Sequence, residues 1–138
     1  MNRALAQMDL VPRPGPTLTE FETLNFEAEK FDHEAHVFVA WSYLQEFDLL
    51  TAIDRYRSTL RRLTSKLGIP GKYHETITWF YMIAVKERAI GAAAADWNCF
   101  REGNPDIFER KPGILEDNYS KTRLMSDQAR ATFLLPDL

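Results

Sequence analysis

Apolar residues recur at steps of three and four along much of the chain, the spacing that is typical of helices. The clearest case runs from Leu49 to Leu67, where the apolar positions form one narrow stripe. Asp48 stands where a helix N-cap is expected, and Gly68 with Pro70 marks the end of the stripe. No stretch of useful length alternates between apolar and polar positions as a half-buried strand does. The pattern therefore predicts an all-α protein.

Other segments show the same helical pattern with recognisable starts. Asp32 is a candidate N-cap for a helix that runs to about Phe47, with Phe31 and His36 in hydrophobic-staple positions. The segment 73–90 is apolar around its whole circumference at first, which is typical of a helix in the middle of a bundle. Later residues form short pieces, with Ser120 and Ser126 as caps. We expect an irregular bundle of about five to seven helices.

The N-terminal segment differs because Pro12, Pro14 and Pro16 exclude a helix there. We expect a proline-rich arm over residues 1–18 that adds little to the core, followed by a single helical domain over residues 19–138. The arm is either a loose tail or a strap that lies on a partner chain. The first helix of the domain should follow Thr19 as its cap, with Glu22 completing a capping box.

Composition narrows the class of protein. A chain of 138 residues is long enough for one domain with its own core, and a net charge of −3 argues against a dedicated nucleic-acid binder. No apolar run approaches the roughly 20 residues of a membrane helix, and the N-terminus lacks the apolar region of a signal peptide. Cys99 is the single cysteine and should be buried. We expect a cytoplasmic protein without nucleic-acid or membrane partners, and a homo- or hetero-oligomer stays open.

All three histidines lie in two short motifs, each at the start of a predicted helix. The motifs read FDHEAH from position 31 and YHETIT from position 73. His33 and His36 project from the apolar side of one helix, and His74 with Glu75 belongs to the first turn of the most apolar helix. Imidazole is the commonest metal ligand and general acid or base near neutral pH. A site is therefore expected where the two motifs meet.

The residues allow two kinds of chemistry. His33, His36 and His74, or two of them with Glu75, suit one divalent metal such as Zn²⁺, Fe²⁺ or Mn²⁺. Without a metal, His36, His74, Glu75 and Thr78 are candidates for acid–base catalysis on a bound small molecule. Either reading describes a small-molecule enzyme or enzyme subunit, with hydration, elimination, cyclisation and oxygen chemistry all open. The alternative is a non-catalytic interaction or structural module whose histidines form a buried hydrogen-bond network.

The sharpest expectation concerns the distance between the motifs. Two polar side chains in one core are least costly when they share a partner, whether a metal, a water or a carboxylate. The ring nitrogens of His36 and His74 should therefore lie within about 3–5 Å of each other or of one common atom. His33 or Glu75 should complete the set.

Basic residues flank the apolar stripe between Leu49 and Leu67 on both sides. Such a pattern is typical of a solvated helix flank, here with ion pairs to the acidic segment 20–34, and an anion-binding surface is the alternative. The residues are Arg55, Arg57, Arg61, Arg62 and Lys66.

Together the motifs resemble those of a family of small, mostly uncharacterised bacterial helical proteins. The shared pattern combines Phe-x-His-x-x-His, Ala-Trp, Tyr-His-Glu-Thr-x-Thr, Tyr-Ser, Ser-x-x-Ala-Arg and a closing Pro-Asp-Leu, which here spans residues 31–138. The resemblance implies no particular reaction. It implies that the histidines and Glu75 belong to one site, and it adds further candidates to it. These are Thr78, Tyr119, Ser120 and Arg130.

Overall fold

A computed structural model describes residues 13–109 and 113–138 of the chain. Within those ranges the structure has eight α-helices, four short 3₁₀ turns and no strand. The helices are α1 (Leu18–Glu22), α2 (His33–Glu46), α3 (Leu49–Lys66), α4 (Glu75–Arg88), α5 (Trp97–Gly103), α6 (Ile114–Asn118), α7 (Lys121–Leu124) and α8 (Asp127–Ala131). The 3₁₀ turns are Ala28–Lys30, Pro70–Lys72, Ala92–Ala95 and Pro105–Phe108. The predicted all-α bundle is confirmed, with more helices than expected because its last part divides into several short ones.

Aspartate side chains cap the starts of α2 and α3, two of the predicted helices. Asp32 accepts the backbone N–H of Ala35 at 2.9 Å at the start of α2, and Asp48 accepts that of Thr51 at 2.8 Å at the start of α3. Gly68 follows α3 with a φ of 75°, a conformation in which a side chain is strained. The predicted starts and ends of both helices agree with the structure.

The start of α1 differs from the prediction by two residues. Thr17 is the N-cap, and its hydroxyl accepts the N–H of Glu20 at 3.1 Å while Glu20 accepts the N–H of Thr17 at 2.9 Å. The predicted capping box of Thr19 and Glu22 is therefore wrong, because the same spacing occurs two residues earlier, directly after Pro16. Glu22 instead forms an ion pair with Arg55 at 2.6 Å. The sequence predicts ion pairs of this kind between the basic flank of α3 and the acidic segment 20–34.

Part of the proline-rich arm packs against the bundle. Pro16 is buried, and Gly15 lies so close to α2 that an added Cβ would stand 3.2 Å from the Cα of Ala35. Arg13 forms an ion pair with Glu20 at 3.2 Å. The expectation that the segment up to residue 18 adds little to the core is therefore wrong for residues 13–17. Residues 1–12 lie outside the described part of the chain, so a tail or strap role stays a prediction.

Helix α4 lies in the middle of the bundle, as its apolar circumference predicts. It packs against α2, α3 and α8. Two groups of buried apolar side chains flank it. The first is Phe21, Val39, Ala40, Tyr43, Ala52, Ile53, Tyr56, Leu60 and Met82, and the second is Val37, Val85, Phe100, Ile107 and Ile114.

Cys99 is exposed in the first turn of α5, so the expectation that it is buried is wrong. The carboxylate of its neighbour Asp96 caps this helix by accepting the N–H of Cys99 at 3.0 Å. The negative charge of Asp96 raises the pKa of the Cys99 thiol. The thiol is therefore accessible but weakly ionised.

Candidate functional site

A pocket of about 480 Å³ lies where α2, α3 and α4 meet, and all three histidines line it. One part of its wall is aliphatic and comes from α3 and the residues that follow it. The other part is aromatic and polar. The aliphatic residues include Leu60, Leu63, Leu67 and Ile69, and the polar wall includes His33, His36, Tyr56, Tyr73, His74, Thr78 and Tyr81. The structure thus brings together both predicted motifs, although Glu75 is not in the lining.

His74 is the N-cap of α4, and both of its ring nitrogens are engaged. Nδ1 accepts the backbone N–H of Ile77 at 3.2 Å, and Nε2 donates to the carbonyl of Leu124 at 2.8 Å. These bonds require the neutral tautomer with its proton on Nε2. Burial lowers the pKa of His74 and outweighs the bond to Leu124, and the charge of Arg130 lowers it further. His74 therefore joins α4 to the end of α7.

Glu75 is 8% exposed and is held between α3 and α4. Its carboxylate accepts Nε and Nη2 of Arg57 at 3.1 and 3.0 Å and also the hydroxyl of Tyr73. Burial raises the pKa of Glu75, but the bonds from Tyr73 and Arg57 outweigh burial and bring the pKa below its ordinary value. The indole N–H of Trp79 also lowers the pKa of Glu75. This buried N–H makes no hydrogen bond of normal geometry among the described residues. Glu75 thus positions Tyr73, which lines the pocket.

The two threonines of the second motif have different roles. The hydroxyl of Thr76 lies 2.6 Å from the carbonyl of Ala129 and 2.8 Å from that of Thr132, and it accepts the N–H of Leu134 at 3.1 Å. Thr76 therefore ties α4 to the C-terminal segment. The hydroxyl of Thr78 donates to the carbonyl of His74 at 2.9 Å, within its own helix, and Thr78 lines the pocket.

His36 hydrogen-bonds to Tyr56 of α3. The hydroxyl of Tyr56 lies 3.2 Å from Nδ1 of His36 and 3.3 Å from its carbonyl oxygen. If the hydroxyl gives its one proton to the carbonyl, Nδ1 donates to the hydroxyl oxygen, and otherwise Nδ1 accepts that proton. The ring of Phe31 packs on the imidazole with 4.1 Å between centroids, as the predicted staple requires.

His33 bonds a backbone carbonyl. Its Nε2 lies 2.8 Å from the carbonyl of Ile107, which can only accept, so Nε2 donates. The ring of Tyr81 packs edge-on against it with 5.0 Å between centroids. The two histidines of the first motif therefore hydrogen-bond through different ring nitrogens.

The residues that the resemblance adds near the C-terminus hold the end of the chain. Ser120 caps α7 and donates its hydroxyl to Asp137 at 2.6 Å, while the hydroxyl of Tyr119 donates to the carbonyl of Leu134 at 2.6 Å. Arg130 donates to the carbonyl of Gly71 at 2.9 Å, next to the second motif. These contacts hold residues 134–137 and the 70–72 turn in place.

The sequence predicts that His36 and His74 share a partner. Both ring nitrogens of His74 instead bind Leu124 and Ile77, so neither binds a partner shared with His36. Among the described residues, no group of three or more His, Cys, Asp or Glu side chains is placed to hold a metal ion. A three-histidine metal site would require His74 to give up its bond to Leu124 or the cap of α4. A divalent metal stays a prediction that would draw on His33 and His36.

Several residues of the site have no motif that identifies them in the sequence. Tyr56 and Tyr81 read as ordinary members of apolar helix stripes, and Arg57 as one of five cations on a helix flank. A signal exists only for Tyr56, which follows Ile53 in the α3 stripe and must therefore face the core. Its buried hydroxyl then needs a partner, and a neighbouring histidine can supply one.

Comparisons of the chain with protein-family models, with curated proteins and with solved structures give no match. The family that the motifs resemble therefore has no support beyond the motifs themselves. In the described ranges, no helix is long and apolar enough to cross a membrane.

Proposed function

We propose that the protein is a small-molecule enzyme or enzyme subunit whose substrate binds in the pocket between α2, α3 and α4. The pocket volume of about 480 Å³ falls within the range of roughly 300–1,000 Å³ that is usual for sites of small organic ligands. An aliphatic wall faces a wall with a few imidazole and hydroxyl groups. Such a division suits a molecule with an apolar body and one reacting polar part.

The observation that carries the proposal is the place of His33 and His36 in the wall of this pocket. The protein holds each ring through one nitrogen, Nε2 of His33 on Ile107 and Nδ1 of His36 on Tyr56, and the other nitrogen of each ring is the proposed base. A histidine of this kind takes a proton from a substrate and returns it to another atom. His33 and His36 are therefore the proposed acid–base pair, and Tyr56 positions His36.

Proton transfer defines the reaction class without naming the substrate. Hydration, elimination and cyclisation all need a base that removes a proton and an acid that delivers one. His74 and Glu75 are assigned a supporting role, since their polar atoms bind Leu124, Ile77 and Arg57.

The test uses solvent deuterium as a general probe of proton transfer. Fragments that bind the protein and carry a C–H bond next to a carbonyl are incubated with it in D₂O, and C–H to C–D exchange is followed by NMR. The wild-type protein should accelerate exchange, and His36→Gln should reduce the acceleration by about 10²-fold or more. His33→Gln should also reduce it.

The matched control is His74→Gln, which changes the same side chain outside the proposed acid–base pair. It should lower stability but retain most of the exchange activity at temperatures where it is still folded. Full activity of both His33→Gln and His36→Gln, or binding of every fragment outside the pocket, would contradict the proposed function.

A further inference from the structure

Three cationic side chains lie at the 70–73 segment, of which Lys72 and Tyr73 line the pocket. Lys72 lines the pocket and is exposed, and the guanidinium of Arg61 lies 5.8 Å from the centroid of the Tyr73 ring. Arg130 binds the carbonyl of Gly71 at 2.9 Å from the other side. In the described part of the chain, none of these three cations forms an ion pair with a carboxylate.

Few carboxylates line the pocket beside these cations. In the described lining the one carboxylate is Asp32, whose side chain accepts the N–H of Ala35 as the cap of α2. Glu75 is already paired with Arg57. Among the described residues, Arg61, Lys72 and Arg130 thus have no ion-pair partner, and clustered cations of this kind attract small anions.

An apolar path begins beside the same cations. Leu67 and Ile69 are 48% and 42% exposed, and both line the pocket close in sequence to Lys72. Further along α3, Leu63 and Leu60 continue this surface in the buried part of the wall. A cation thus stands at the outer end of an aliphatic surface that leads inward.

We infer that the ligand is an amphipathic carboxylic acid, bound with its carboxylate at Lys72 and its apolar body along Leu60, Leu63 and Leu67. This inference rests on the proposed function and adds the substrate class. Arg61 packs on the ring of Tyr73 and Arg130 binds the carbonyl of Gly71, so these two contribute positive electrostatic potential only. The ammonium of Lys72 makes the direct bond to the carboxylate. One ammonium matches a monoanionic carboxylate. The end of the ligand far from its carboxylate then lies towards His33 and His36.

Matched probes test this inference. We would compare 4-phenylbutanoate with neutral 4-phenylbutanamide by NMR titration of the wild-type protein, of Lys72→Gln and of Lys66→Gln. Lys66 is the control because it is an exposed lysine at the end of α3 that does not line the pocket. The wild-type protein should bind the carboxylate roughly twofold to fivefold more tightly than the amide, the strength of an exposed ion pair.

Lys72→Gln should abolish this preference while it leaves amide binding unchanged, and Lys66→Gln should retain the preference. The preference should also shrink at about 1 M salt, where the screening length is about 3 Å. Equal binding of both probes in the pocket, or a preference that survives Lys72→Gln, would overturn the inference and leave the proposed function intact. Binding of neither probe in the pocket would overturn the inference, and the deuterium-exchange test would then decide the proposed function separately.

Discussion

At the scale of single residues, the second motif holds several parts of the chain together through consecutive side chains. Tyr73 donates to Glu75, which pairs with Arg57 of α3. His74 bonds the end of α7, and Thr76 bonds the C-terminal segment. The sequence predicts that these buried polar groups need partners. It cannot identify most of the partners, because they are backbone carbonyls, which every residue offers.

His74 gives the most direct prediction at this scale. His74→Asn should lower the free energy of unfolding by about 1–3 kcal/mol, since the carbonyl of Leu124 then lacks its buried donor. Asn is chosen because it can still cap a helix. Urea unfolding at neutral pH measures the change. An unchanged midpoint would contradict the structural role of His74.

The lowered pKa of His74 also predicts how stability depends on pH. In the unfolded chain His74 takes up a proton near pH 6.5, whereas in the folded protein it does so only at a lower pH. Between its folded pKa and about pH 6.5, the unfolded state therefore binds more protons than the folded state. The contribution of His74 is therefore fully present above about pH 6.5 and is lost as the pH falls towards its folded pKa. In urea titrations across about pH 8 to 5, the wild-type protein should lose more stability than His74→Asn. Parallel curves would count against a buried neutral His74.

At the scale of elements, the sequence predicts the starts of the helices that have long apolar stripes and aspartate caps. It does not predict the start of the N-terminal helix α1. For α2 and α3, the cap and the stripe agree on one register. For α1, two overlapping threonine–glutamate pairs offer the same capping box, and only packing selects Thr17. Residues 13–17 then lie on the bundle because Pro16 is buried and Gly15 permits close approach to α2.

This close approach can be tested with one methyl group. Gly15→Ala should destabilise the protein by about 1 kcal/mol or more, because the new Cβ would lie 3.2 Å from both the Cα and the Cβ of Ala35. Gly103→Ala is the control, since its Cβ would meet nothing within 4 Å, and it should be neutral or slightly stabilising. Thermal unfolding of both variants gives the comparison. Equal effects would show that the arm does not pack on α2.

At the scale of the whole molecule, α4 both holds its neighbouring elements together and lines the pocket. The first turn of α4 fixes α7, α8 and α3 in place, and Ile77, Thr78 and Tyr81 of the same helix line the pocket. The sequence predicts that the two histidine motifs meet, because both lie at starts of helices that pack together. It does not separate His74, both of whose ring nitrogens bind the protein, from His33 and His36, which we propose for the substrate, since this division depends on where α7 and the 105–108 turn lie.

That division is the central claim, and the three histidines of the chain allow one measurement to test it. The imidazole Cε1–H groups give three NMR signals, which His33→Gln, His36→Gln and His74→Gln assign. The signals are followed during titration with a ligand that binds in the pocket. Our account predicts that the signals of His33 and His36 shift together with saturation, while that of His74 changes little. A shift of the His74 signal alone, or saturation without any shift of His33 and His36, would contradict it.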